Sequence, residues 1–190
     1  MNLRELVEKN RTIRRFDESF SIGYNTLEQM VNLARLSASG ANKQPLKYLI
    51  YNKPEDCDRI FPFTAWAAYL KEWPGPSSGE RPSAYIVILG DSSIAESFGV
   101  DHGIAAQSIM LGAVNEGLGG CIIASIMRDG LRTELNIPLQ YEILLILAIG
   151  KPVEKVVVEE IKNGDVKYWR DEEKTHHVPK RSLEELILKL

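Results

Sequence analysis

Three arginines and a threonine fall within five positions of Asn10-Arg11-Thr12-Ile13-Arg14-Arg15-Phe16. In an extended segment alternate residues share a side, so Arg11 and an arginine beyond it could flank one anion with charge-assisted hydrogen bonds. The other reading of the same residues is a solvated basic patch at a helix end, where cations suit the dipole. A second basic pair, Lys180-Arg181, stands just ahead of Ser182, which with Glu185 forms a capping box. A helix N-terminus disfavours cations, so either an anion lies nearby or these are plain surface charges. A third stretch, Ser37-Ala38-Ser39-Gly40-Ala41-Asn42-Lys43-Gln44-Pro45, is a polar loop able to present groups to a ligand. Its proline predicts an extended Gln44.

These stretches must be placed by the elements around them. Asn2 with Glu5 fits an N-cap and its partner, which predicts a helix over 3–9. Leu27, Met30, Val31, Ala34 and Leu36 keep a 3.6 period, which predicts a helix over 26–37 running into the polar loop. Leu46 to Asn52 reads as a strand and 55–70 as weakly helical. Trp73 to Pro82 is rich in turn residues, which predicts a mobile excursion near a site. Ser83 to Gly90 reads as a strand buried on both faces. Asp101 to Glu116 reads as a helix capped by Asp101, apolar nearly all round and small on much of its surface, with Gly117 as its C′ residue. Such a helix is buried, and its small residues admit a close neighbour such as a second subunit.

Leu118 to Ile126 is a glycine turn into a short apolar strand or extended loop. Gly119-Gly120 follows a helix, so it is no dinucleotide fingerprint. It suits either a close backbone approach to a flat ligand or a simple turn. Asp129 to Leu135 reads as a short helix and Glu142 to Gly150 as a core strand. Beyond Val156 the chain alternates apolar and charged residues up to the basic pair.

Composition narrows the function classes. The 190 residues carry a net charge of -3, with 44% apolar and 26% charged residues. This predicts one globular domain over 1–190 and gives no field to steer in nucleic acid or an anionic membrane. Cys57 and Cys121 lie far apart and no Cys/His spacing builds a metal site, so no metal is expected. The charged first fifteen residues lack an apolar signal core, and no stretch is long enough to cross a bilayer, which points to a reducing, cytoplasmic setting.

Taken together, the chain resembles the FMN-dependent nitroreductase family. The marks are Arg11 to Phe16, Ser39 to Pro45, the Gln107-centred helix leading into Gly117-Leu118-Gly119, Ile149-Gly150-Lys151-Pro152, and Lys180-Arg181. The resemblance implies an α+β fold, a mixed and mainly antiparallel sheet flanked by helices, in an intertwined homodimer that shares two FMN sites. By position, Arg11, Thr12 and Arg14 match the segment that grips the FMN phosphate and ribityl chain, and Arg181 with Lys180 matches the late basic contact. Ser39, Asn42 and Gln44 match the loop against the neighbouring subunit's flavin. Ile122, Ile123, Ala124 and Ser125 match the segment under the ring, with the Ala124 N–H toward flavin N5.

The implied activity is hydride transfer from NAD(P)H through FMN to a small-molecule acceptor such as a nitroaromatic or quinone. No side chain need be a nucleophile, and none offers itself: Cys121 lacks a His beside it in sequence, and His176-His177 lacks a metal-ligand partner. A related dehalogenase or oxidase, and a flavin-binding dimeric protein without turnover, are the alternatives. Leu46 stands where the family often has an aromatic residue, Ala124 stands where many members have an acid, and the segment between Pro54 and Pro82 is compact.

Overall fold

Seven consecutive apolar or small residues and a closing aspartate form the strand around which the chain is built. The computed structural model describes residues 1–189, and in it Ala84–Asp91 is buried along its whole length. We number this strand β3. It lies between β2 (Leu46–Tyr51) and β5 (Tyr141–Pro152), antiparallel to both. The other side of β5 carries β4 (Gly119–Ile123), and the end of β5 pairs with β1 (Phe16–Asp17). All the pairings between strands of this five-stranded sheet are antiparallel.

Alternation along β3 divides the core in two, because successive side chains leave opposite faces. Tyr85, Val87 and Leu89 join Cys57, Ile60 and Leu131 from α3 (Pro54–Ile60) and α5 (Arg128–Glu134). Ala84, Ile86 and Ile88 join Leu27, Met30, Ile109 and Ala113 from α2 (Tyr24–Arg35) and α4 (Asp101–Asn115). A register shift between Ile88 and Leu89 leaves Leu144 of β5 as an extra residue. That bulge keeps both Ile143 and Ile146 in the first cluster despite their odd spacing.

The apolar character of α4 is explained largely inside the chain. A side chain on Gly112 would come within 2.7 Å of Leu33 Cδ1 and 3.4 Å of Met30 Cγ, so its small residue admits α2 of the same protomer. Gly117 ends this helix at φ +70°, as a C′ residue should. Gly119 and Gly120 belong to β4 itself. A Cβ on Gly120 would lie 2.3 Å from the Ala148 carbonyl oxygen, so close strand packing is what requires this glycine.

Several local expectations shift. α1 (Leu3–Lys9) carries the Asn2–Glu5 capping box as read. α2 starts at Tyr24 with Gly23 as its cap, two residues before the expected start. The segment read as weakly helical over 55–70 is α3, followed by a short 3-10 turn Phe61–Phe63, after which Thr64 bridges Ile126. The turn-rich stretch before β3 is anchored. Glu80 receives a bidentate pair from Arg15, 2.8 Å on the Nε side, and the Phe16 N–H donates to the Glu80 carbonyl at 3.0 Å.

The alternating tail forms a second sheet, ordered β6 (Val156–Glu160), β8 (His176–Lys180), β7 (Trp169–Arg170). β8 runs parallel to β6 and antiparallel to β7. A short α6 (Leu183–Leu186) follows, capped by Ser182 accepting from the Glu185 N–H at 3.2 Å. No helix among the described residues is long and apolar enough to cross a membrane.

Candidate anion cradle and the loop wall

Ile13 is the pivot of the basic segment. It is buried beside β4, its N–H donating to the Gly120 carbonyl at 2.8 Å, while Thr12 bridges Gly120 in parallel. With Ile13 turned inward, Thr12 and Arg14 fall on the opposite side of the extended backbone. There they line a pocket of about 150 Å³ together with Arg11, Tyr168, His176 and Lys180. Residues from the two ends of the sequence thus converge, one set beside β4 and the other on β8 and the approach to β7.

The pocket lining contains three permanent or near-permanent cations and no carboxylate. Arg11 is braced by an Nη2 hydrogen bond to the Val7 carbonyl at 2.7 Å. The Arg14 guanidinium lies 4.8 Å from the centre of the Tyr168 ring, a cation–π contact that also fixes its plane. The Nε atoms of both arginines are buried without a protein partner. Phosphate chemistry suits such a donor set, which offers guanidinium, ammonium and hydroxyl groups to one anion.

His176 adds a group that sequence reasoning left unassigned. It is 1% exposed, and its Nε2 lies 3.2 Å from Arg14 Nη1. Arginine can only donate, so Nε2 accepts and the proton sits on Nδ1, a buried N–H with no protein partner. Burial, helped by Arg14 and Arg170, lowers its pKa to about 4. Its neighbour His177 is the reverse case: hydrogen bonds to Asp171 and Glu159 raise its pKa, and it stacks on Trp169 at 4.1 Å. Strand alternation, which sends adjacent residues to opposite faces, was the signal that could have separated their roles.

The opposite shifts make a testable pH dependence. His176 has a folded pKa below its unfolded value of about 6.5, so its contribution to stability is complete above that value and is lost as pH falls toward 4. His177 works the other way, contributing below the unfolded value and losing that contribution as pH rises through its raised folded pKa. Urea unfolding of the wild type should show a loss on the order of 2 kcal/mol from His176 across that window. His176→Gln should flatten the acid limb, and an unchanged limb would remove His176 as its cause.

Lys180 and Arg181 separate. Lys180 ends β8 opposite Glu160 and lines the pocket. Arg181 lies beyond the strand and is paired with Glu185 on α6, both about half exposed. The cradle therefore receives its late cation from Lys180.

The polar loop is a separate wall. Ser39 Oγ donates to Asp101 Oδ2 at 2.6 Å, and the Gly40 N–H donates to Oδ1 at 2.9 Å. Asp101 is the first residue of α4, whose cap is Val100, so its carboxylate serves the loop and the expected cap role is not observed. Gln44 has φ +51° and is not extended. Its N–H donates to Ser39 Oγ at 2.9 Å, and its side-chain amide donates to Asn42 at 3.2 Å, which hold the strained conformation. Ala41 and Asn42 also have positive φ, at 49° and 55°. Asn42 and Gln44 are exposed, and neither they nor Ser39 line the cradle.

The remaining predicted residues lie along β4 and beyond. Ile122 is 43% exposed while Ile123 is buried, so Ile122 presents an apolar side chain on an open surface. Ala124 and Ser125 follow, both exposed. The Ala124 carbonyl accepts from Arg128 at 3.3 Å and the Ser125 carbonyl accepts from the Ala65 N–H at 3.0 Å. Four residue steps of extended chain lead from Gly120, beside the cradle, to Ala124, a run of about 13 Å. Neither cysteine is poised for chemistry: both are free and buried, and desolvation pushes Cys57 up to about 12 and Cys121 up to about 11.

Comparison with solved structures matches this fold over most or all of the chain. A nitroreductase family protein from Streptococcus pneumoniae aligns over 100% of both chains, with a TM-score of 0.70 and 13% identity. The chain has the nitroreductase fold. A structure from Exiguobacterium sibiricum in complex with FMN aligns over 90% of this chain and 98% of its own, with a TM-score of 0.69 and 20% identity. An FMN-dependent nitroreductase from Clostridium difficile aligns over 85% and 92%, with a TM-score of 0.64 and 20% identity. The model of the nitroreductase family matches residues 77–151, the span from the anchored loop through β3, α4 and β4 to the end of β5. The nitroreductase resemblance read from the sequence and the α+β architecture therefore agree.

Proposed function

We propose that this protein is an FMN-dependent oxidoreductase that accepts hydride from NAD(P)H and passes electrons to a small acceptor such as a nitroaromatic or quinone. The observation that carries the reading is the convergence of Arg11, Thr12, Arg14 and Lys180 on one carboxylate-free pocket. These residues would hold the phosphate of FMN, with the His176 Nδ1–H as a further donor. β4 would then lead the ligand from Gly120 toward Ala124, whose backbone N–H would face the ring. When bound, FMN supplies the redox chemistry, and the chain binds, orients and shields it.

The reading extends to a second copy of the chain. Ser39, Asn42 and Gln44 lie away from the cradle, so they would serve the flavin of a partner in a homodimer. The exposed Ile122 would lie against the apolar part of the ring system. The single 1–190 domain would act in a cytoplasmic setting without nucleic acid.

Anaerobic titration of the FMN-loaded protein with NADH and then NADPH tests the activity. Loss of oxidised-flavin absorption with either nicotinamide is expected, with reoxidation on adding a quinone. A flavin that stays oxidised with both would leave a flavin-binding protein without this turnover.

A further inference from the structure

We infer that Glu154 is a positioning residue for the cradle, an inference that rests on the FMN reading above. Its side chain is fully buried, at 0% exposure, yet it lies outside the pocket lining. The carboxylate is shared among three donors from two parts of the chain. Oε1 accepts from the backbone N–H of Arg14, in a short contact, and from that of Arg15 at 3.2 Å. Oε2 accepts from Arg170 Nη2 at 2.9 Å. Arg170 in turn lies 4.2 Å from the centre of the Trp73 ring.

The arrangement has a specific consequence. Arg14 and Arg15 follow the cradle's Thr12, and Arg170 belongs to β7, which pairs with the strand that carries His176 and Lys180. One buried carboxylate therefore fixes the backbone of the N-terminal half of the cradle to the sheet that supplies the other half. Holding two consecutive N–H groups on one oxygen sets the turn of the chain at Arg14, and with it the direction of the guanidinium. A charge effect alone would act in the opposite sense, because an unscreened negative charge beside the pocket weakens anion binding.

Glu154→Gln keeps the reach and removes the charge, whereas Glu154→Asp keeps the charge and shortens the reach by one methylene. Apoprotein of the wild type and both variants would be titrated with FMN and with riboflavin, which lacks the phosphate, following flavin fluorescence. Positioning predicts that both variants bind FMN about tenfold more weakly, about 1.4 kcal/mol, with riboflavin affinity little changed. Tighter FMN binding by Glu154→Gln together with unchanged binding by Glu154→Asp would show a charge effect and overturn the inference. Equal losses for both flavins would also overturn it, since they would report a general loss of fold. Wild-type protein that binds no FMN would overturn the parent reading and this one together; wild-type binding with unchanged FMN affinity in both variants would overturn only this one.

Discussion

Arg14→Ala is expected to weaken FMN binding by about 1.5–3 kcal/mol, roughly 10- to 150-fold, the worth of a hydrogen bond to a charged group. Arg14 lines the cradle and is braced by Tyr168 and bonded to His176, so its loss removes a cation held in place from two sides. Lys180→Ala should follow in the same direction with a smaller effect, because the ammonium is a point charge on an exposed, flexible stem. Arg181→Ala should change FMN affinity little, since its guanidinium is engaged by Glu185 outside the pocket. Fluorescence titration of the three variants measures this order. A larger loss for Arg181 than for Lys180 would reverse the assignment of the late cation.

Asp101→Ala should lower unfolding stability by about 2–4 kcal/mol, because one buried carboxylate accepts both the Ser39 hydroxyl and the Gly40 N–H. Those bonds hold a loop in which Ala41 and Gln44 have positive φ, conformations that cost about 1–3 kcal/mol each and persist only when their surroundings impose them. Without Asp101 the loop should relax and its N–H groups exchange faster. Urea unfolding and hydrogen exchange of Ser39 to Gln44 measure the two effects. A stability within about 0.5 kcal/mol of wild type would mean that the loop is held by something other than Asp101.

The loop also shows where sequence reasoning reaches and where it stops. The Asn2–Glu5 box, the buried β3 and the Gly117 terminus were legible because each depends on residues within a few positions of one another. Asp101 was read as a helix cap by the same local logic. Its actual partners are 61 and 62 residues away, and no local pattern shows a contact of that range. Gln44 was read as extended from the proline that follows it, but Ser39 and Asn42 hold it in the left-handed region.

The cradle was legible in part. Arg11, Thr12 and Arg14 were singled out by type and spacing, and the structure does bring them to one pocket. The choice between Lys180 and Arg181 depends on where β8 ends, and the strand was hidden in a tail that read only as alternating. Tyr168, His176 and Val178 also line the pocket. They were missed because the parallel pairing of β6 with β8, set by long-range register, is what carries the tail back to the N-terminal segment. Glu154 was invisible for a related reason, since its three donors come from residues that only the fold brings together.

The claim that the cradle holds FMN is tested most directly by loading purified protein with FMN, removing free flavin by gel filtration and recording the visible spectrum. The account predicts a yellow protein retaining about one FMN per chain, with retention lost in Arg14→Ala. Wild-type protein that emerges colourless after loading would contradict it.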